Sequence, residues 1–191
     1  QPHGKQVLEP HGIWYTPVTG IWQTVWIEPV PAANRIEGVT TRSDIHAGVL
    51  SVDVKTARTG SDRVCVTLSA DGKTLAERSS MAGQPVHLAV EHPRLWSPDD
   101  PYLYDLTVTL VRDGRVIDRA ESYAALREIA TGRDANGIER MTLNGRPLFH
   151  FGPLDQGWWP DGLYTAPTDE ALLYDIRFTK QLGFNMIRKH I

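Results

Sequence analysis

The side chains best suited to chemistry stand in one loop rich in glycine, proline and tryptophan, at residues 152–167. Carboxylates and amides bind the hydroxyl groups of sugars, and aromatic faces stack on the C–H surfaces of sugar rings. The loop offers both kinds of side chain, namely Asp155, Gln156, Trp158, Trp159 and Asp161. Because binding residues concentrate on loops held by a scaffold, we expect at least one of the five to contact a carbohydrate. In the alternative interpretation, the two tryptophans only pack the loop onto a neighbouring domain.

The sequence contains no motif for metal binding, thiol catalysis or nucleotide binding. The seven histidines are dispersed and lack the spacing of a metal site. The single cysteine, Cys65, alternates outward on a predicted strand, which argues against a catalytic thiol. No P-loop and no glycine-rich dinucleotide fingerprint is present. We therefore expect neither a metal nor a cofactor.

The composition is typical of a globular protein. Of the 191 residues, 41% are hydrophobic and 23% are charged, and the formal net charge of −3 gives no reason to expect binding to nucleic acid or to an anionic membrane. No apolar run approaches the ~20 residues that span a bilayer. The chain begins at Gln1 without an initiator methionine, which we interpret as a piece of a longer protein whose compartment the sequence leaves open.

Residues 35–128 have the pattern of an immunoglobulin-like β-sandwich. Apolar residues alternate with polar ones in several short runs, as in Leu50, Val52 and Val54, which predicts strands with one buried face. Asp71-Gly72 and Asp113-Gly114 are typical of tight hairpins. About seven short strands in roughly 95 residues favour a two-sheet sandwich whose last strand lies near residues 116–119.

The flanking segments predict fewer elements. Residues 20–28 are rich in aromatic and β-branched residues and predict one strand. Residues 143–148 predict a hairpin around Asn144-Gly145. A helix should begin after Thr168 as N-cap and end at Gly183, followed directly by a buried strand at residues 184–188. A helix followed by an apolar strand is one step of an α/β fold.

Three stretches of the chain carry a family resemblance, at residues 19–28, 93–104 and 143–188. Their order and spacing resemble glycoside hydrolase family 2, the family of β-galactosidases, β-glucuronidases and β-mannosidases. The resemblance implies a mainly β chain in three parts. Residues 1–34 would be the last strand of a jelly-roll sugar-binding domain, residues 35–128 the immunoglobulin-like sandwich, and residues 129–191 the first elements of a truncated TIM barrel.

The resemblance also implies an activity that lies outside this chain. Family members cleave terminal β-O-glycosidic bonds with retention, using two glutamates on later barrel strands, and retention requires two carboxylates about 5–5.5 Å apart. Neither glutamate is present, so no catalytic residue is expected here and the chain alone should be inactive, serving to position its neighbouring domains.

The resemblance adds two candidates for substrate binding in the complete enzyme, Arg188 and His190. The matching arginine of the family lies beside the nucleophile, and barrel active sites lie at the carboxyl ends of the strands. The family commonly has two residues between this arginine and the histidine, whereas only Lys189 separates them here. Alternatively, Arg188 faces solvent and His190 is a disordered terminal residue.

Two other functions stay open at this point. In the first alternative the chain is a non-catalytic carbohydrate-binding module of sandwich type, and in the second it is a structural spacer without a ligand. The expected partner is a carbohydrate, with no nucleic acid and no membrane. Self-association is expected through exposed apolar edges at residues 22–27 and 184–188.

Overall fold

A computed structural model describes residues 4–190. Outside the described residues lie Gln1, Pro2, His3 and Ile191. The chain start, on which the expectation of a longer protein was based, is among them. The chain forms two compact units. One is Pro29–Phe149, and the other combines the segment up to Glu28 with the segment from His150 onward.

Seven strands of the first unit form two antiparallel sheets. They are β1 (Ile36–Asp44), β2 (Val49–Thr56), β3 (Arg63–Ala70), β4 (Lys73–Met81), β5 (Val86–Ala89), β6 (Tyr104–Arg112) and β7 (Arg115–Ala124). The sheet orders are β1-β2-β5 and β4-β3-β6-β7. The predicted last strand at 116–119 is therefore longer than expected. Strand β4 pairs with β3, whereas the constant-type immunoglobulin arrangement places the fourth strand beside the fifth.

The core of this unit lies between the two sheets. The predicted alternation holds, because Leu50 and Val52 of β2 and Val66 and Leu68 of β3 are fully buried. On β6, in the middle of the second sheet, Leu106, Val108 and Leu110 are likewise buried. Period two places every second side chain on the inner face, so this burial follows directly from the sequence pattern.

The three predicted hairpins are confirmed. Asp71-Gly72 joins β3 to β4 with φ values of 51° and 74°, and Asp113-Gly114 joins β6 to β7 with 48° and 73°. Asn144-Gly145 has φ values of 52° and 75°. Positive φ at both central residues gives the turn whose twist matches that of the flanking strands.

A small sheet follows the sandwich within the same unit. Its strands are β8 (Ile129–Arg133), β9 (Glu139–Leu143) and β10 (Arg146–Pro147), in the order β10-β9-β8. The β8–β9 hairpin was not predicted. Its turn depends on Asp134, whose carboxylate accepts hydrogen bonds from the backbone N–H groups of Ile138 and Asn136 and from Arg140. The bonds from Ile138 and Arg140 lower the pKa of Asp134 below its usual value.

The side chain of Asn144 ties this small sheet to the sandwich. Its Oδ1 accepts the N–H of Glu128 at 3.0 Å, and its Nδ2 donates to the carbonyl of Trp96 at 3.0 Å. The N–H of Trp96 in turn donates to the carbonyl of Leu126 at 2.9 Å. Arg127 lies over the Trp96 ring at 4.5 Å, so that Trp96 is an anchor at the edge of the sandwich.

The second unit contains one βαβ step. Strand β11 (Leu154–Asp155) precedes helix α1 (Asp169–Gln181), and β12 (Arg188–Lys189) follows it and pairs with β11 in parallel. The predicted helix is confirmed. The Oγ1 of Thr168 accepts the N–H of Ala171 at 3.2 Å, and Gly183 has φ of 87°. None of its residues is buried, and the helix is not long and apolar enough to cross a membrane.

Two predicted strands of the flanking segments are wrong. Residues 20–28 form no strand, and Ile21, Val25 and Ile27 are 83, 71 and 96% exposed. A strand needs a neighbour for its backbone groups, and none of the described strands pairs with this segment. The strand predicted at 184–188 is two residues long, begins only at Arg188 and is not buried. Its partner, β11, lies inside the segment predicted to be loop.

Candidate functional site

The candidate site lies where the parallel strands β11 and β12 end. Leu154 pairs with Arg188 and Asp155 with Lys189. The N–H of Arg188 donates to the carbonyl of Pro153 at 3.0 Å, and the N–H of His190 donates to that of Asp155 at 2.9 Å. Parallel strands end at the same edge of a sheet, so the residues after β11 and after β12 meet there.

An ion pair joins the two strands at this edge. The Lys189 Nζ lies 2.7 Å from Oδ2 of Asp155, and Oδ1 of Asp155 accepts the N–H of Gly157 at 2.7 Å. The hydrogen bond from Lys189, helped by that from Gly157, lowers the pKa of Asp155 below its ordinary value. Asp155 is therefore held ionised and fixed in orientation at neutral pH.

Gln156, the next residue, gathers two donors on one oxygen. Its Oε1 accepts a hydrogen bond from the hydroxyl of Tyr15 and lies 3.0 Å from Nδ1 of His190. With this amide orientation, a neutral His190 carries its proton on Nδ1, and Nε2 is the nitrogen that can accept a hydrogen bond. The arrangement can thus present an acceptor nitrogen and an amide to hydroxyl groups of a ligand.

Aromatic rings support the cluster from the N-terminal segment. The Tyr15 ring stacks on Trp158 with centroids 4.9 Å apart, and Trp158 meets Tyr164 edge-on at 5.0 Å. Nε2 of Gln6 donates to the hydroxyl of Tyr164. Gln156 and Trp158 are therefore held in place by residues more than 140 positions earlier in the chain.

The structure brings some predicted site residues together and leaves others apart. Four of the seven, together with helix α1, line a cleft of about 280 Å³: Asp155, Gln156, Trp158 and Trp159, opposite Asp175, Phe178 and Thr179. His190 joins through Gln156. Arg188 is exposed at the start of β12, and Asp161 is exposed in the turn closed by Trp159 and Leu163.

Tyr15 and Lys189 belong to the site and were not predicted. Lys189 could have been found from its position between two candidates on a strand, because residues at a strand end meet those of the neighbouring strand. Tyr15 carries no such signal. Among residues 4–190, no group of three or more histidine, cysteine, aspartate or glutamate side chains is arranged to hold a metal ion.

Comparison with known proteins assigns the family. The model of glycosyl hydrolases family 2 matches residues 34–127. A Bacteroides ovatus β-galactosidase, BoGH2A, is 31% identical over 94% of this chain. This chain belongs to glycoside hydrolase family 2. A Formosa agariphila protein, described provisionally as a β-glucuronidase, is 30% identical over 95% of the chain.

The family 2 chain is short beside these relatives. It spans 22% of the length of the Bacteroides protein and 18% of the Formosa protein. Among solved structures, the β-glucuronidase of Ruminococcus gnavus is similar with a TM-score of 0.69 and 20% identity, covering 81% of this chain and 25% of that one. At this identity the likeness supports the fold alone.

A lysine substitution in this family 2 chain tests the ion pair. Lys189→Met removes the main cause of the lowered Asp155 pKa, and we expect that pKa to rise towards its ordinary value. A ¹³C carboxylate NMR titration measures it. Lys73→Met, on the exposed strand β4, serves as control and should leave Asp155 unchanged. An unchanged Asp155 pKa in Lys189→Met would contradict the assigned pair.

Proposed function

We propose that this chain is part of a retaining glycosidase that hydrolyses terminal β-O-glycosidic bonds, and that its strand-end cluster forms one wall of the sugar pocket. One observation carries the proposal. Asp155 with Lys189, and Gln156 with His190, meet at the carboxyl ends of neighbouring parallel strands. In (β/α)₈ barrels the active site lies at that end of the strands.

The βαβ step supports the proposed domain plan. In it, β11, α1 and β12 are the first strand, first helix and second strand of the catalytic barrel within residues 129–191. Residues 35–128 are the immunoglobulin-like domain, and residues 1–34 are the end of a jelly-roll domain. The strand at residue 188 is then the second barrel strand, because Leu154–Asp155 precedes it.

The candidate residues have separate proposed roles. Nε2 of His190 and the amide of Gln156 bind sugar hydroxyls, and the ring of Trp158 or Trp159 stacks on the sugar. Arg188 faces the catalytic carboxylates, which the rest of the enzyme supplies, and favours their ionised form. The names of the relatives, β-galactosidase and β-glucuronidase, support a carbohydrate substrate.

Expression of the complete gene and a screen of aryl β-glycosides test the activity. We expect one glycoside to be hydrolysed, with the β-anomer as first product by NMR. In that enzyme, His190→Ala or Gln156→Ala should lower kcat/KM by on the order of 10- to 100-fold, because a buried polar contact to substrate is lost. Asp161→Asn, in an exposed turn, is the matched control for a loop residue outside the cluster.

The isolated chain should hydrolyse none of these glycosides, because the proposed nucleophile and acid lie elsewhere. Turnover by the purified 191-residue chain would contradict this part of the proposal. An inactive complete protein whose isolated chain nevertheless binds a sugar would favour the carbohydrate-binding module instead.

We also propose that the isolated chain self-associates through its N-terminal segment. Ile21 and Ile27 are 83 and 96% exposed, and exposed apolar side chains close together in one segment favour association. Sedimentation velocity should show a dimer or larger species that disappears in Ile21→Lys/Ile27→Lys. A monomer at all concentrations would contradict the proposal.

A further inference from the structure

A second cleft adjoins the strand-end cluster within the same compact unit. Its volume is about 440 Å³, within the range of small-molecule sites. It is lined by Trp22 and Gln23 from the N-terminal segment, by Trp159 and the segment 164–169, and by Gln156 and Lys189. Because Gln156 and Lys189 belong to both places, ligand groups bound in the two would be neighbours.

The N-terminal wall of this cleft is held by specific contacts. The Oγ1 of Thr165 donates to the carbonyl of Trp22 at 3.0 Å, and the Trp22 ring lies against Tyr164 with centroids 5.4 Å apart. Trp22 is nevertheless 48% exposed, so part of its surface is open to a ligand. Trp22 is therefore fixed in position and still available for stacking.

We propose that this cleft binds the sugar unit on the leaving-group side of the scissile bond. The inference rests on the proposed function. The ring of Trp22 or Trp159 stacks on the pyranose ring of this sugar unit. The side-chain amides of Gln23 and Gln156 form hydrogen bonds with its hydroxyl groups. The substrate is then at least a disaccharide, and the N-terminal segment takes part in selecting it.

The charges around the cleft favour a neutral sugar at this position. Lys189 is the cation in the described lining, but its Nζ already pairs with Asp155 at 2.7 Å. Asp169, at the start of helix α1, adds a carboxylate to the lining. A sugar carrying a carboxylate or sulfate would meet this negative charge, while the positive charge of Lys189 is already balanced.

Leaving groups of different size test the proposal in the complete enzyme. A disaccharide fills the cleft, whereas a β-glycosyl fluoride with the same first sugar has a leaving group too small to reach Trp22. We expect Trp22→Ala to lower the ratio of kcat/KM for the disaccharide to that for the fluoride by about tenfold. Trp22→Phe, which keeps an aromatic ring, should recover part of the ratio.

Trp26→Ala is the matched control, because Trp26 lies in the same segment, is 68% exposed and does not line the cleft. It should leave the ratio unchanged. An unchanged ratio in Trp22→Ala, or an equal loss on both substrates, overturns the proposed subsite.

An enzyme that cleaves neither substrate would refute the proposed function, but it would leave the proposed sugar binding in the cleft to be tested separately. The cleft is then tested by titrating the 191-residue chain with cellobiose. A saturable shift of the Trp22 indole N–H signal, absent with glucuronate, supports the site. No shift up to about 50 mM cellobiose overturns it.

Discussion

Replacing Gly152 by alanine will separate strands β11 and β12 and dismantle the candidate site. A Cβ on Gly152 would overlap the carbonyl oxygen of Met186 and stand 2.7 Å from its carbonyl carbon. These are backbone atoms and cannot rotate away as the end of a side chain could. The two backbone segments must therefore move apart. We expect this to lower the stability of the unit by about 3 kcal/mol or more, which is the upper range for overpacking.

Amide exchange provides the measurement for Gly152→Ala. The N–H groups of Arg188 and His190, which donate to Pro153 and Asp155, should lose their protection. Gly60→Ala is the control, because no atom lies within 4 Å of the added methyl group. Full protection of both amides in Gly152→Ala would show that the close approach to Met186 is wrong.

Asp62→Asn is expected to destabilise the sandwich unit strongly. Asp62 is only 2% exposed, and its carboxylate accepts two hydrogen bonds from Arg112, at 2.6 and 2.7 Å, and one from Nδ2 of Asn34 at 2.6 Å. The NH₂ group of an asparagine at position 62 would face the N–H donors of Arg112 or Asn34, and it cannot accept their hydrogen bonds. The half-exposed Arg112 loses its counter-charge and the buried Asn34 loses a carboxylate acceptor, so we expect the Tm to fall by on the order of 10 °C.

The carboxylate of Asp62 also makes the stability of the sandwich unit depend on pH in the acid range. The hydrogen bonds from Arg112 and Asn34 lower the pKa of Asp62 from 3.8 to about 2. A group whose pKa is lowered on folding stabilises the fold above its unfolded pKa, so this contribution is complete above pH 3.8 and is lost as the pH falls through about 2. Denaturant unfolding of the wild type from about pH 5 down to about pH 2 should show this loss, and Asp62→Asn should lack it.

A surface ion pair serves as control for the Asp62 experiments. Arg119 and Glu121 lie 2.8 Å apart, with side chains 57 and 72% exposed. Exposed pairs add little stability, so Glu121→Gln should change the Tm by about 2 °C or less. A Tm of Asp62→Asn no lower than that of Glu121→Gln would contradict the expected contribution of Asp62 and its partners to stability.

The sandwich could be predicted from the sequence because its signals are local. Alternation in β2, β3 and β6 shows which face is buried, and Asp71-Gly72 and Asp113-Gly114 show where the chain reverses. Residues 20–28 have the aromatic and β-branched composition of a strand yet form none. Local propensity describes what a segment can do, and only a distant partner decides whether it pairs.

The candidate site could be predicted only in part, for the same reason. The residue types of Asp155, Gln156 and Trp158 indicated a sugar-binding loop, and the structure places them in one cleft. The contact of Tyr15 with Gln156 joins residues 141 positions apart. A single sequence contains no signal that connects such pairs. The strand β11 was missed because two residues are too short for a periodic pattern.

The position of β4 beside β3 has a consequence for colloidal behaviour. In this arrangement β4 is an outermost strand of the larger sheet, as β7 is at the other edge. Both carry exposed charges, among them Lys73, Glu77 and Arg78 on β4 and Arg115, Arg119 and Glu121 on β7. Charged borders of this kind discourage the addition of strands from other molecules. We therefore expect the larger sheet to resist the addition of strands from other molecules, even at the concentrations at which the proposed association through the N-terminal segment would occur.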